Sequence, residues 1–238
     1  MLEIWGVRYS YPDGHEALRG VTFSVCEGEK IALAGANGSG KSTLLLHLAG
    51  AIDVQEGRIT FKGDASQEAL RKNISLTFQD SDDELLMPTV LEDATFSLVA
   101  GGMSVNEARE RARKILASLG IAHLAERPPH KLSGGEKRMV SFAGVLAGEP
   151  EVLALDEPSA GLDPRARRRV INFLRETSKT IILATHDLDM ALDVCTRAII
   201  LSDGAVACEG ELPDLFINRE VLEANGLELP LRYSYSTS

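Results

Sequence analysis

GANGSGKST, residues 35–43, stands directly after the apolar run KIALA and directly before LLLHLAG. A glycine-rich loop that ends in Lys-Ser between a short apolar strand and a helix-forming segment is a backbone cradle for an anion. Glycines let the chain wrap the ligand with its N–H groups, and the helix that follows points its positive end at the same place. Such a junction demands a buried strand feeding a helix, the repeating unit of an α/β protein.

The rest of the chain repeats that pattern. NISLTFQ, EVLALDE, TIILATH and RAIIL are short, continuously apolar and closed by polar residues, and helical stretches separate most of them. Runs of this kind read as strands buried on both faces, as in a parallel sheet covered by helices. The first thirty residues differ. LEIWGVRYSY and VTFSVCEGE alternate partially, with Gly and Pro between them, and predict an antiparallel flap joined by ITFKG. Beyond Met87 the pattern turns helical. Ser104 and Glu107 make a capping box, Ala108, Ala112, Ile115, Leu116 and Leu119 line one face, and Gly120 stops the helix. The expected layout is one domain, with residues 1–86 and 136–238 forming the core and 87–135 a helical insertion. The last residues, RYSYSTS, read as a frayed tail.

Composition removes several classes. The 238 residues can bury a substantial core, and the formal charge of −10 argues against a nucleic-acid groove, which needs Lys and Arg in excess. The basic run between Arg165 and Arg169 reads as a solvated helix face. Cys26, Cys195 and Cys208 lack metal-ligand or disulfide spacing, as expected of thiols in a reducing cytosol. No apolar stretch approaches the ~18 residues of a membrane span, so work at a membrane would need another chain to cross it.

The polar ends of the strands carry the chemistry. Gly35, Ala36, Asn37, Gly38, Ser39, Gly40, Lys41, Ser42 and Thr43 form the cradle. Lys41 is expected to reach the β- and γ-phosphates, and the Ser42 hydroxyl to ligate Mg²⁺. EVLALDEP delivers Asp156 to the end of its strand, where it can serve the metal. Adjacent Glu157 points elsewhere and suits a general base for water, although an acidic turn before Pro158 is the plainer alternative. Gln79 and His186 each end a strand and carry little weight singly. Ligands in an open parallel sheet lie outside the strand ends, so the convergence of all four groups fits a hydrolytic phosphate site.

A second anion site raises a question. KLSGGEKRMV, residues 131–140, again sets a serine and two glycines at a helix start. Taken in order, GANGSGKST, the strand-end glutamine, LSGGE, LALDEP with SAGLD, and ATHDL resemble the nucleotide-binding subunit of ATP-binding cassette transporters. YSYPDGHEAL, FQDSDDELLMPTVLEDATF and ILATHDLDMALDVCTRAIIL are most similar to the ATPases of energy-coupling-factor importers for cobalt, nickel and vitamins.

The resemblance implies a P-loop, RecA-like core with an antiparallel β subdomain and a helical insertion. It further implies Mg-ATP hydrolysis at the cytoplasmic face of a membrane beside a transmembrane partner. Tyr11 matches the aromatic that stacks on adenine, with core packing open for it and for Tyr9. His186 matches the histidine at the γ-phosphate, and Gln79 the lid residue reaching metal and water. Ser133, Gly134 and Gly135 would bind the γ-phosphate of an ATP held by a second ATPase, in a homodimer or a heterodimer, and residues 160–163 would cross between the two. The chain has Asp82, Asp83 and Glu84 where importers of this group often read Asp-Asp-Gln. A soluble, non-transport ATPase of the same family is the alternative.

Overall fold

The computed structural model describes residues 1–77 and 85–234. Along the chain run β1 (Leu2–Ser10), β2 (Glu16–Val25), β3 (Lys30–Ala34), α1 (Lys41–Leu48), β4 (Glu56–Phe61), α2 (Gln67–Asn73) and β5 (Ile74–Thr77). Four helices follow in part: α3 (Val90–Ala100), α4 (Val105–Ser118), α5 (Gly134–Ala147), then β6 (Val152–Asp156) and α6 (Pro164–Glu176). The chain continues with β7 (Thr180–Ala184), α7 (Leu188–Val194), β8 (Arg197–Ser202), β9 (Ala205–Glu211), α8 (Asp214–Ile217), α9 (Arg219–Ala224) and α10 (Leu231–Ser234). Two compact units result. One comprises Met1–Leu76, Glu151–Glu157 and Ser178–Ser238, and the other Thr77–Pro150 and Pro158–Thr177.

The first unit holds a six-stranded sheet of order β5-β6-β7-β3-β8-β9. β3 runs parallel to both β7 and β8, and β6 parallel to β7. Every residue of β6 and β7 is buried, which is why these strands read as unbroken apolar runs. β9 closes the edge antiparallel to β8. Its sequence, AVACEGE, is weakly apolar, but the Asp203-Gly204 turn before it, with φ of 48° and 77°, is a two-residue hairpin signal. A separate antiparallel sheet, β2-β1-β4, bears out the expected flap. Leu2, Ile4 and Val7 of β1 join Ile31, Leu33, Leu44, Ile182 and Ile199 in one buried cluster, while Trp5 between them faces solvent.

The second unit is helical. α4 buries Ala108, Ala112 and Leu116 and is capped by the Ser104 hydroxyl, as its sequence predicts. Glu107 meets that hydroxyl through its carboxylate at 2.5 Å. The unit reaches beyond residues 87–135 because α5 runs unbroken to Ala147 and α6 packs on it, Phe173 edge-on to Phe142 at 5.8 Å. The arginines of α6 begin behind Asp163, whose carboxylate caps the helix by accepting from the Arg165 and Ala166 amides.

One expectation needs correction. The start of RYSYSTS is docked rather than frayed: Arg232 and the helical turn around it are fastened to Asp189 and Asp193 of α7. The two acidic partners lie some forty residues upstream, so the local composition shows nothing of the pairing. Among the described residues, no helix is long and apolar enough to cross a membrane.

Candidate nucleotide site

The loop between β3 and α1 has the shape its glycines permit. Gly35 has a φ of 149°, and a Cβ there would lie 2.3 Å from the Leu201 carbonyl and 2.6 Å from Ser39 Oγ. Gly40 has a φ of 101°, with the Ala17 carbonyl 2.6 Å from any added Cβ. No L side chain fits either place without moving backbone. Gly40 is also the N-cap of α1 and offers no capping side chain, which suits this helix start to an anion. Asn37, Gly38 and Ser42 are exposed along this rim, while Ser39 and Thr43 are buried and Ala36 and Gly40 are partly so.

Lys41 is nearly buried and turned onto its own loop. Its Nζ donates to the carbonyls of Gly35 at 2.7 Å and Ala36 at 2.9 Å, with Ser39 Oγ at 3.4 Å. Burial lowers its pKa below the ordinary lysine value, and the charges of Glu157 and Asp156 oppose that shift. Reaching a phosphate therefore means exchanging two carbonyl partners for anionic oxygens, which gives stronger, charge-assisted bonds.

Glu157 follows Asp156 at the end of β6 with a φ of 47°, a backbone state that costs a non-glycine residue of order 1–3 kcal/mol. The strained turn brings its carboxylate across to the end of β7. There Oε2 accepts from Thr185 Oγ1 at 2.9 Å, and Oε1 accepts from the His186 amide at 2.7 Å. His186 Nδ1 lies 2.7 Å from the same Oε1, so with the carboxylate ionised Nδ1 carries the hydrogen. The glutamate is buried and the imidazole largely exposed, at 10% and 73% side-chain exposure. This leaves a buried carboxylate held in one orientation beneath an exposed imidazole. Asp156 is also buried.

Tyr9 and Tyr11, whose rings meet edge-on at 5.0 Å, make different further contacts. Tyr9 packs against the buried cluster, with its ring 4.6 Å from the His47 ring. Tyr11 leaves the strand and puts its hydroxyl 3.0 Å from Thr43 Oγ1, at the start of α1 beside the cradle. Thr185, buried and bonded to Glu157, was missed at the sequence level. The Thr-His-Asp series at a strand end, with hydroxyl and carboxylate able to bind nearby amides, was the signal. Gln79 lies outside the described residues.

Ser133, Gly134 and Gly135 belong to the second unit. Ser133 caps α5 by accepting from the Glu136 amide at 3.3 Å, while the Glu136 carboxylate accepts from the Ser133 amide at 2.8 Å. The reciprocal box fixes the helix start. Gly134 faces open space, whereas Gly135 lies against the Gly161 carbonyl. The signature helix and residues 160–163 thus share one surface.

The model of the ABC transporter family matches residues 18–160. A protein of Gloeobacter violaceus, named as an ABC transporter ATP-binding protein, is 50% identical over 94% of this chain and 95% of its own length. The chain belongs to the ABC transporter family. It is the ATP-binding, ATP-hydrolysing cassette of that family. The energy-coupling factor transporter ATP-binding protein EcfA of Methanosphaera stadtmanae is 39% identical over 97% of the cassette and 86% of its own length. Solved structures agree on the fold. The cassette superposes on cbiO1 of Clostridium perfringens, part of the ABC transporter complex cbiONQ, with a TM-score of 0.80. Identity there is 36%, over 94% of this chain and 93% of that one. MJ0796, an ATP-binding cassette that is dimeric in a post-hydrolysis state with ADP and Pi, also gives 0.80, at 30% identity over 89% and 99% of the two chains.

Proposed function

We propose that this ATPase powers substrate import through a separate transmembrane partner, as an energy-coupling-factor cassette of the cobalt, nickel and vitamin group. The observation that carries the reading is the near-complete match, in length and fold, to cbiO1 of the cbiONQ complex. The likeness to EcfA supports it. The cassette would then lie on the cytoplasmic face of the membrane, bound to that partner.

Each residue has a physical role in this reading. The backbone of residues 35–43 wraps the phosphates, Lys41 shifts its ammonium from the loop carbonyls onto them, and Tyr11 stacks on adenine. Glu157, aimed by Thr185 and His186, takes the proton of the attacking water, and His186 approaches the γ-phosphate. Among the described residues, no three His, Cys, Asp or Glu gather into a metal site. Mg²⁺ would be held by the hard oxygens of Ser42 and Asp156, with Gln79 and the phosphates as further ligands. Once bound it neutralises phosphate charge. Ser133, Gly134 and Gly135 would close the site from a second cassette, and the dimeric state of MJ0796 supports that sandwich.

The test is purification of the tagged cassette from membranes of its native cell. A multi-span membrane protein that co-purifies in fixed ratio, with ATPase activity in the complex, is expected. Recovery wholly in the soluble fraction, with ribosomes or nucleic acid as the only companions, would refute the importer reading.

A further inference from the structure

The docked C-terminal segment spans two parts of the nucleotide site. Residues 225–232 begin beside the phosphate loop, where Gly226, with a φ of 69°, lies so near Ala36 that an added Cβ would stand 3.3 Å from the alanine's methyl carbon. They end on α7, the helix directly after His186. Leu231 N donates to Asp189 Oδ2 at 2.8 Å and Arg232 N to Asp189 Oδ1 at 3.2 Å. The Arg232 guanidinium donates through Nε to Asp189 Oδ1 at 2.9 Å, and through Nη2 to the Asp189 carbonyl at 2.9 Å and to Asp193 Oδ1 at 2.8 Å.

This clamp answers a local difficulty. α7 has seven residues, too few to be stable by itself. Asp189 and Asp193 are four apart, so two like charges repel along one helix face. A planar guanidinium that reaches both removes the repulsion and crosslinks the first turn of α7 to the last. A lysine carries the charge without the fork.

The first turn of α7 continues into the catalytic strand end. Asp187 caps it by accepting from the Met190 amide at 2.9 Å, and the Asp187 amide donates to Thr185 Oγ1 at 3.0 Å. That threonine donates in turn to Glu157, which also takes both the amide and the ring of His186. We propose that Arg232 is a positioning residue for hydrolysis: by bridging Asp189 and Asp193 it holds the start of α7, and with it Thr185 and His186, against the Glu157 carboxylate. This rests on the reading of Glu157 and His186 given above. It makes the C-terminal segment part of the hydrolytic machinery, although it touches no reacting atom.

The test uses the full-length protein with three measurements: equilibrium ATP affinity, kcat at saturating Mg-ATP, and melting temperature. Arg232→Ala should keep ATP affinity within about two-fold while kcat falls about ten-fold, a mid-range coupling loss within one hydrogen-bond network. Arg232→Lys should fall between that variant and wild type. In a His186→Ala background, with single turnovers followed over hours, adding Arg232→Ala should slow the residual rate by a clearly smaller factor, the part that passes through Thr185. Wild-type kcat in Arg232→Ala would overturn the proposal. So would an equal fractional loss with and without His186, or a parallel loss of affinity and kcat in both Arg232 variants, since those mark a merely structural clamp. Wild-type turnover in His186→Ala alone would instead refute the role of the histidine on which the proposal rests.

Discussion

Replacing Glu157 by glutamine separates chemistry from architecture at this site. The carboxylate accepts from Thr185 Oγ1, the His186 amide and, at 2.7 Å, His186 Nδ1. Glutamine keeps the shape. Its oxygen can take both His186 donors, and its NH₂ can face Thr185 Oγ1, whose second lone pair can accept it beside the Asp187 amide. What is lost is the charge on these bonds, about 1 kcal/mol if charge-assisted bonds give way to neutral ones. For a chain of this size that is a fall of about 2–4 °C in Tm. Alanine would instead leave the His186 amide without its acceptor, about 2 kcal/mol and so about 4–8 °C. The two variants should differ clearly in melting and hardly in turnover, because both lack the base. Each should lose about 10²-fold or more in kcat, the usual cost of a missing general base. Glu157→Gln should still bind Mg-ATP, since the phosphate loop is untouched. The assays are thermal melting, equilibrium nucleotide binding and phosphate release. Turnover within about three-fold of wild type in Glu157→Gln would remove the residue from the role of base.

Further outcomes follow from the same geometry. Lys41→Ala should fail at binding, with ATP affinity down at least about ten-fold, because the cradle loses its only lysine; normal affinity by titration calorimetry would contradict the phosphate-loop assignment. Ser133→Arg should leave ATP binding by the monomer within about two-fold yet abolish ATP-driven dimerisation and hydrolysis, at a capping cost of about 1 kcal/mol. ATPase activity per subunit that stays constant on dilution to an isolated monomer would refute the second half-site. The start of α5 should also respond to acid. The Ser133 amide and hydroxyl, in that order, hold the Glu136 pKa below its usual value of 4.5. A carboxylate with a depressed folded-state pKa contributes stability that is full above the unfolded value and is lost as pH falls through the folded one. Amide exchange at residues 133–136, corrected for intrinsic rates, should therefore quicken below about pH 4.5, and Glu136→Gln should abolish that dependence.

Short-range grammar carried much of this molecule. A glycine pattern specifies the phosphate loop because only glycine tolerates the φ of Gly35 and Gly40 and the carbonyls packed against them. Unbroken apolar runs specified β3, β6, β7 and β8 because a sheet buried on both faces leaves no polar position inside a strand. The Ser133 signature and the Ser104 cap were legible for a similar reason: a capping hydroxyl and its helix are neighbours in the chain. Strand ends predicted where Asp156, Glu157 and His186 would lie, since parallel strands send their carboxyl ends to one edge.

Tertiary structure decided what depends on partners far apart in sequence. Lys41 bonds its own loop carbonyls, a choice set by burial that no motif records. Tyr9 goes to the core and Tyr11 to Thr43, although both tyrosines stand two residues apart in the same segment. α6 joins the helical unit through Phe173 meeting Phe142, which periodicity within either helix does not disclose. The plainest case is the start of RYSYSTS, a tail that reads as frayed. Arg232 is ordered because two carboxylates on α7 repel each other and need a cation between them, and only the folded chain brings that cation there.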